Sequence, residues 1–423
     1  MPDKQGKNKA LIIGAGTGGL LAAAALSPYF KTVQVVEKDS LPLSPAVRKG
    51  VGQAAHLHSL LLGGLQILER FLPGIADDLR QAGSKTLRAG LDQQIHEYGV
   101  WLPERDLGFE ILAQSRYLLE HVIRNRVARL DNVVIDDHWR IEQLILSTGK
   151  TVVGAVGSGD SSDTQELLAD LVVDCSGRAG KFVRQLSNFF PDMDRVDEIQ
   201  SNIVYASAFV DKPQALVGQQ ENILIIAEPG ASAGGALIDV EGNRWCVSLH
   251  GRNGVVPPTD PEAWKSFARS LPADRIYQRL TQAEYIHPVS VYKKPLSIWR
   301  RFDLMTDFPS GYFPLGDVIT SVNPTFGQGM TLGFGHAVAL NDAFAAGGSD
   351  ELIQKHYLKA AADWSQKAWR VCAAYDSSFK GDELSRQKNF QILRSLSLKK
   401  QNEAIADPEA HKRLFRQAQM INH

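Results

Sequence analysis

Gly14, Gly16 and Gly19 lie within "LIIGAGTGGLLAAAAL" and fill a GxGxxG spacing. Leu11 to Ile13 reads as a buried strand, Gly14 to Gly19 as a tight turn, and Leu20 to Leu26 as the start of an Ala/Leu helix. In that context the three glycines differ in role. Gly14 permits the turn, Gly16 lets a pyrophosphate approach the backbone, and Gly19 lets helix and strand pack closely. The phosphates then meet the positive N-terminus of the helix. A second strand, "TVQVVEKD", ends on Glu37, eighteen residues after Gly19, with Lys38 beside it. An acid at that distance can accept hydrogen bonds from both hydroxyls of an adenosine ribose. It favours a ribose without a 2′-phosphate, so NAD or FAD over NADP. The motif alone does not choose between those two, and a glycine-rich turn without a ligand competes with both.

A second glycine-rich stretch, "GDVITSVNPTFGQGMTLGFG", runs from Gly316 to Gly335. "GYFPLGD" reads as an apolar strand ending in Gly316-Asp317, and "NPTFGQGM" turns into the helix "MTLGFGHAVALNDAF". An NAD dehydrogenase uses its adenine-side loop once. A cofactor with a ribityl chain and an isoalloxazine ring must be gripped at both ends, and FAD is that cofactor.

The elements that must position these loops divide into groups. "HLHSLLLGGLQILERFL" (Leu61, Leu65, Leu68, Leu72) and "RYLLEHVIRNRVARL" (Leu118, Val122, Val127, Leu130) have helical apolar spacing. "NVVIDD", "TVVGAVG" and "ADLVVDCSG", around the polar turn Ser158 to Thr164, read as a small antiparallel excursion before the chain re-enters its main sheet. From Ser201 to Pro295 the segments alternate or run β-branched and aromatic, with a hairpin signal at Glu241-Gly242-Asn243 and one helix after "VVPPTDPE". That predicts an antiparallel sheet forming its own layer. From Glu351 the chain reads as helical, with Tyr357, Ala361, Trp364, Ala368, Val371 and Tyr375 as one packing stripe; the last thirty residues read as a solvated helix or frayed tail.

The expected fold class is α/β: a Rossmann-like FAD-binding domain, a mostly antiparallel β-sheet substrate domain, and C-terminal helices. The expected division is 1–75, 110–190 and 300–346 for the FAD-binding domain, 76–109 and 191–299 for the substrate domain, and 347–423 for the helices. With 46 Lys plus Arg against 47 Asp plus Glu, nothing in the charge calls for a nucleic-acid surface. Cys175, Cys246 and Cys372 form no CxxC pair, and a reducing cytoplasm suits them. Ala10 to Leu26 resembles a leader or anchor only superficially: its 17 residues are interrupted by patterned glycines and fall short of the ~20 needed to span a bilayer. No integral membrane segment is expected.

Taken in order, the sequence resembles the FAD-dependent monooxygenases related to para-hydroxybenzoate hydroxylase, and more closely the bacterial flavin epoxidases and hydroxylases of natural-product pathways, such as polyether epoxidases. The resemblance covers most of the chain: GxGxxG with Glu37, "RKGVGQAAHLHSLLLGGLQILERFLPG" from Arg48 to Gly74, "SRYLLE" at Ser115 to Glu120, "VDCSGRAG" at Val173 to Gly180, and "GDVITSVNPTFGQGMT". It implies that Asp317 binds the ribityl hydroxyls and that Gly327, Gln328, Gly329 and Met330 aim backbone N–H groups at the flavin pyrimidine. Oriented donors there suit the negative charge of reduced flavin. It also implies that Pro324, with Gly327 and Gly329, shapes the wall where oxygen reacts, and that Arg48 and Arg116 contact the phosphate or adenosine side, where guanidinium groups suit anionic oxygens. Gln53, His56 and His58 fall near the flavin, the histidines as site-lining or helix-capping residues.

One departure stands out. Many relatives carry DGxxSxxR, linked to both the FAD pyrophosphate and nicotinamide use. Here Ser176-Gly177 replaces Asp-Gly, Gly180 stands where Ser is expected, and Arg184 is displaced by one place. The implied electron source is NADH or NADPH, used directly or through a separate flavin reductase. Cys175 beside this turn reads as a small buried residue rather than a nucleophile.

The implied reaction inserts one atom of dioxygen, by epoxidation or hydroxylation, into a small apolar molecule, free or carrier-bound, through a flavin peroxide. Such chemistry needs few acid/base residues, and the sequence shows no Ser-His-Asp signature, no HExxH and no metal spacing. Tyr205, Phe209, Trp245 and Tyr292 are candidates to roof the flavin, each also an ordinary core residue. Competing readings are a reductase of the geranylgeranyl reductase type, a flavin halogenase, for which a "WxWxIP"-like segment is missing, and a flavoprotein without catalysis.

Overall fold

The computed structural model describes residues 7–48, 52–160, 163–229, 232–380 and 383–421. Within them, five strands form a parallel sheet in the order Tyr312–Pro314, Leu171–Asp174, Lys9–Ile13, Thr32–Val36, Val133–Asp136. Lys9–Ile13 is central and covered on both faces, so its sequence is a continuous apolar run rather than an alternating one. The helix Thr17–Leu26 follows it and is buried along almost its whole surface, between the sheet and the helix Gly329–Ala346. The stretch Ala10 to Leu26 is thus strand and helix of this core, and no described helix is long and apolar enough to cross a membrane. The expected antiparallel excursion is present as Arg140–Leu146, Val152–Ser158 and Thr164–Leu168, after which Leu171–Asp174 re-enters the parallel sheet.

The second layer is a larger sheet in the order Thr320–Ser321, Ser290–Arg300, Val196–Asp211, Arg244–Arg252, Ala233–Val240, Asn222–Ile225, Gln93–Glu97, Val100–Trp101. Its pairings are antiparallel except that between Asn222–Ile225 and Gln93–Glu97. The Glu241–Asn243 turn closes the hairpin between Ala233–Val240 and Arg244–Arg252. Because side chains alternate along a strand, one face receives Val247, Leu249 and Trp245, packed under Trp264, Ile276 and Leu280. The other face presents Tyr205, Ser248, His250, Tyr292 and Lys294 toward the first layer. Two short helices, Pro261–Phe267 and Arg275–Leu280, replace the single one expected, since Pro272 lies between them and cannot continue a helix hydrogen-bond ladder.

Three other expectations need correction. The helix predicted to begin at His56 spans only Leu62–Phe71. Before it, the His56 ring is held by Ser207 (2.8 Å) and His58 bonds back to the His56 carbonyl (2.9 Å), so the chain runs irregularly until Gly63 and Gly64 pack against the Met420 backbone and Thr331. In the C-terminal stripe Val371 faces outward and Cys372 takes the buried position, within Asp350–Ser377. The last described residues are helical, one of the two expected alternatives, but neither frayed nor fully solvated: after Glu383–Ala406, the helix Pro408–Ala418 buries Phe415 against Ala89 and Leu107, and Gln419 bonds the Leu62 amide (2.9 Å). Its few apolar residues fall on one face, a pattern hidden by the high charge content.

Phe415→Ala is therefore expected to destabilise the chain by about 3 kcal/mol and to open the C-terminal helices to protease. Ile392→Ala, at a half-exposed position, should stay within about 0.5 kcal/mol. Thermal unfolding and limited proteolysis of the two variants check this contrast.

Candidate functional site

The first glycine loop has the stereochemistry of a phosphate cradle. Gly14 sits at φ +108°, and a side chain there would press on the Cys175 carbonyl oxygen at 2.6 Å. A Cβ on Gly19 would overlap the Gly14 carbonyl, so close helix–strand packing depends on it. A Cβ on Gly16 would meet nothing within 4 Å. Its free side opens onto the cavity at the start of Thr17–Leu26, where helix amides gather partial positive charge.

Behind this loop lies a buried ion network. Arg48 pairs with Glu37 (2.9 Å) and Glu120 (2.7 Å), and Arg116 pairs with Glu120 (3.1 Å) and donates to the Thr17 hydroxyl (3.2 Å). Glu37 also accepts the Ala15 amide at 2.9 Å, which fixes the turn. "SRYLLE" thus supplies one cation and one anion a helical turn apart on Arg116–Val127, capped by the Ser115 hydroxyl, which accepts from the Leu118 amide.

The second loop is held from three sides. His336 Nδ1 accepts the Gly316 amide (3.1 Å) and the ring's other nitrogen meets Ser365 (3.1 Å). Asn323 accepts from the Thr325 amide (2.9 Å) and donates to Asp376 (2.8 Å), so Pro324 is fixed between two anchored neighbours. Gly327, at φ +65°, turns the chain into the helix Gly329–Ala346; like Gly16, Gly329 would place a Cβ in open space. The side-chain oxygen of Gln328 is buried without a hydrogen-bond partner.

One cavity joins the two loops. Gly16, Gly19, Arg116, Asp317, Pro324, Gly327, Gly329 and Met330 line it; Gly14, Glu37, Arg48 and Gln328 stand behind the wall, and Lys38 is exposed. Residues 49–51 of the Arg48–Gly74 stretch lie outside the described residues. Gln53, His56 and His58 line the cavity, and neither histidine caps a helix. Burial lowers both imidazoles to about 4, and His250 and His336 to about 3, so all four are neutral near pH 7. Of the aromatic roof candidates, Tyr205 and Tyr292 face the cavity. Trp245 belongs to the far face of the sheet, and Phe209 packs on Tyr117 and under the Arg244 guanidinium. The roof is also less apolar than expected, since Ser248, His250 and Lys294 share it.

Sequence reasoning missed Asp174. Its buried carboxylate accepts the Ser176 amide (2.9 Å) and the Tyr312 hydroxyl (2.6 Å), shaping the turn where relatives carry Asp-Gly. The signal was the Asp two places before Ser176 at a strand end. Arg184 is exposed and bonds the Ala179 carbonyl of its own loop. Burial raises the Cys175 thiol well above its ordinary value, which removes it as a nucleophile.

The residues present fit a dinucleotide with a group gripped at each end. Gly16→Ala should fold normally and bind FAD roughly tenfold more weakly, a loss of ~1.4 kcal/mol, whereas Gly19→Ala should lower the melting temperature of the ligand-free chain. Calorimetric binding and thermal unfolding separate the two effects. The depressed imidazoles carry a pH dependence. Their neutral form is favoured by folding, so stability is complete above about pH 6.5 and falls as pH drops from there toward about 4 and 3. His336→Asn should flatten part of that decline in a pH series of melting temperatures.

The comparisons with known proteins agree with this geometry. The chain is 32% identical over 385 residues to Protein Rv3254 of Mycobacterium tuberculosis, covering 88% of this chain and 81% of that protein. Its fold is similar to that of the flavin-dependent brominase Bmp2, with a TM-score of 0.69 and 16% identity over 97% of this chain and 92% of that one. It is similarly close to p-nitrophenol 4-monooxygenase PnpA from Pseudomonas putida DLL-E4, with a TM-score of 0.66 and 16% identity over 96% and 98%. The family model described as "FAD binding domain" matches residues 7–373, and the chain belongs to that family.

Proposed function

We propose that the chain is an FAD-dependent monooxygenase that inserts one atom of dioxygen into a small organic molecule held beneath the large sheet. The observation that carries this reading is the cavity that joins the two glycine loops, whose lining continues to a roof of Tyr205, Leu224, Ser248, His250 and Tyr292. A site for the cofactor alone has no need of that roof. When bound, FAD supplies electron storage and activation of oxygen.

The chain's own residues do the rest. Gly16 and the first turn of Thr17–Leu26 take the pyrophosphate, with Arg116 alongside and Glu37 on the ribose side. Asp317 takes the ribityl hydroxyls, and the amides from Gly327 to Met330 meet the pyrimidine edge. Pro324, locked by Asn323 and Thr325, presents a rigid apolar wall to the reacting carbon and excludes water. Leu224, Val322 and the two tyrosines suit a largely apolar substrate, free or carrier-bound, as expected of natural-product chemistry; Ser248 and His250 offer one polar anchor. The reading assigns 1–75, 110–190 and 300–346 to the cofactor, 76–109 and 191–299 to the substrate, and 347–423 to bracing. The pairing of Gln93–Glu97 with Asn222–Ile225 supports placing 76–109 with the substrate sheet. Electrons come from NADH or NADPH, directly or through a separate flavin reductase.

The test adds NADH or NADPH to the FAD-loaded protein without oxygen and then admits oxygen with a panel of aromatic and alkene substrates. Substrate-dependent oxygen uptake with labelled oxygen in the product is expected. Turnover that proceeds without oxygen would make the chain a reductase instead. Flavin bleaching before oxygen enters distinguishes direct nicotinamide use from supply by a partner reductase.

A further inference from the structure

Two lysines are buried among the described residues, and they differ in one respect. Lys212 lies 2.7 Å from the Asp239 carboxylate. Lys294 is about 4% exposed, lines the cavity, contacts the Ser321 hydroxyl, and has no ion pair with any carboxylate among the described residues. The other buried cations of the site, Arg48, Arg116 and Arg252, are each paired with an acid. An ammonium held out of water without a counter-charge is costly. Burial pushes it down to about 8, with Asp317 acting in its favour and Arg178 against it. Such a group on a cavity wall is suited to a negative charge that arrives with a ligand.

We propose that Lys294 faces the cofactor and offsets the negative charge that FAD acquires on reduction. Uptake of two electrons and one proton from a reductant adds one net negative charge to the flavin, and a fixed cation favours that form over the oxidised one. The placement favours the cofactor over the substrate. In register, Lys294 pairs with Ile203, at the end of the roof two residues along the strand from Tyr292, and its ammonium turns to Ser321, which lies between Asp317 and Pro324 in the chain. The inference rests on FAD binding and is independent of any reaction with oxygen.

The experiment is an anaerobic, dye-equilibrated redox titration of the FAD-loaded wild type, Lys294→Met and Lys294→Arg proteins, with dithionite as reductant. Lys294→Met is expected to keep its FAD and melting temperature while favouring reduced over oxidised FAD roughly tenfold less, a fall of about 30 mV for a two-electron couple. Lys294→Arg should keep the wild-type potential. If the Met variant does not fold, Lys294→Gln, which retains a donor for Ser321, is read the same way. An unchanged potential with FAD retained overturns the proposal, as does a variant whose only loss is affinity for an aromatic carboxylate such as benzoate. A wild-type chain that takes up no FAD, seen from its absorbance before any titration, overturns the site assignment as well.

Discussion

Arg252 and Asp376 form an ion pair at 2.8 Å in which neither side chain has measurable exposure, and the second glycine loop depends on it. Arg252 comes from the large sheet, Asp376 from the long C-terminal helix, and Asn323, bonded to the same carboxylate oxygen, from the loop that carries Pro324. The guanidinium lies over the rings of Tyr375 and Phe379, at 4.7 and 4.5 Å. A buried pair of this kind gives register more than stability, since its Coulomb energy is largely offset by desolvation; removing one partner still costs about 3–5 kcal/mol. Three parts of the chain distant in sequence therefore meet in one arrangement, and the wall of the cavity is set by it.

The same economy governs the rest of the site. Charges at the adenosine end are paired through Glu120, and the imidazoles are neutral, those of His56, His58 and His336 held by hydrogen bonds. The cavity consequently presents few free charges of its own. Among the described residues Arg116 and Lys294 are the cations on its wall and Asp317 the carboxylate, and between them they mark the ends of a path from the first glycine loop to the second.

Much of this was legible in the sequence because local rules agreed. Strand, GxGxxG and helix are adjacent in the chain, so the roles of Gly14, Gly16 and Gly19 could be read one by one. The large sheet was legible from its alternation, and the resemblance to FAD-dependent monooxygenases pointed to the family that the chain belongs to. What escaped was non-local. The irregular run from His56 is tied to Ser207, about a third of the chain away, and overrides a helical apolar spacing. Which aromatic faced the cavity depended on strand register, which put Trp245 on the far side. The docking of Phe415 required partners at Ala89 and Leu107, and the clamp at Asp376 required one at Arg252, neither of which any short window contains.

The central claim is that one cavity grips a cofactor at two ends, and the measurement that tests it most directly is a comparison of FAD and FMN binding by fluorescence quenching. FMN carries the flavin and ribityl phosphate and lacks the adenosine end that the Gly14–Gly19 loop and Arg116 are placed to hold. FAD binding at least a hundredfold tighter, ~2.7 kcal/mol, is the expected result. Equal affinities would mean that the first loop holds no part of the cofactor, and would contradict the account.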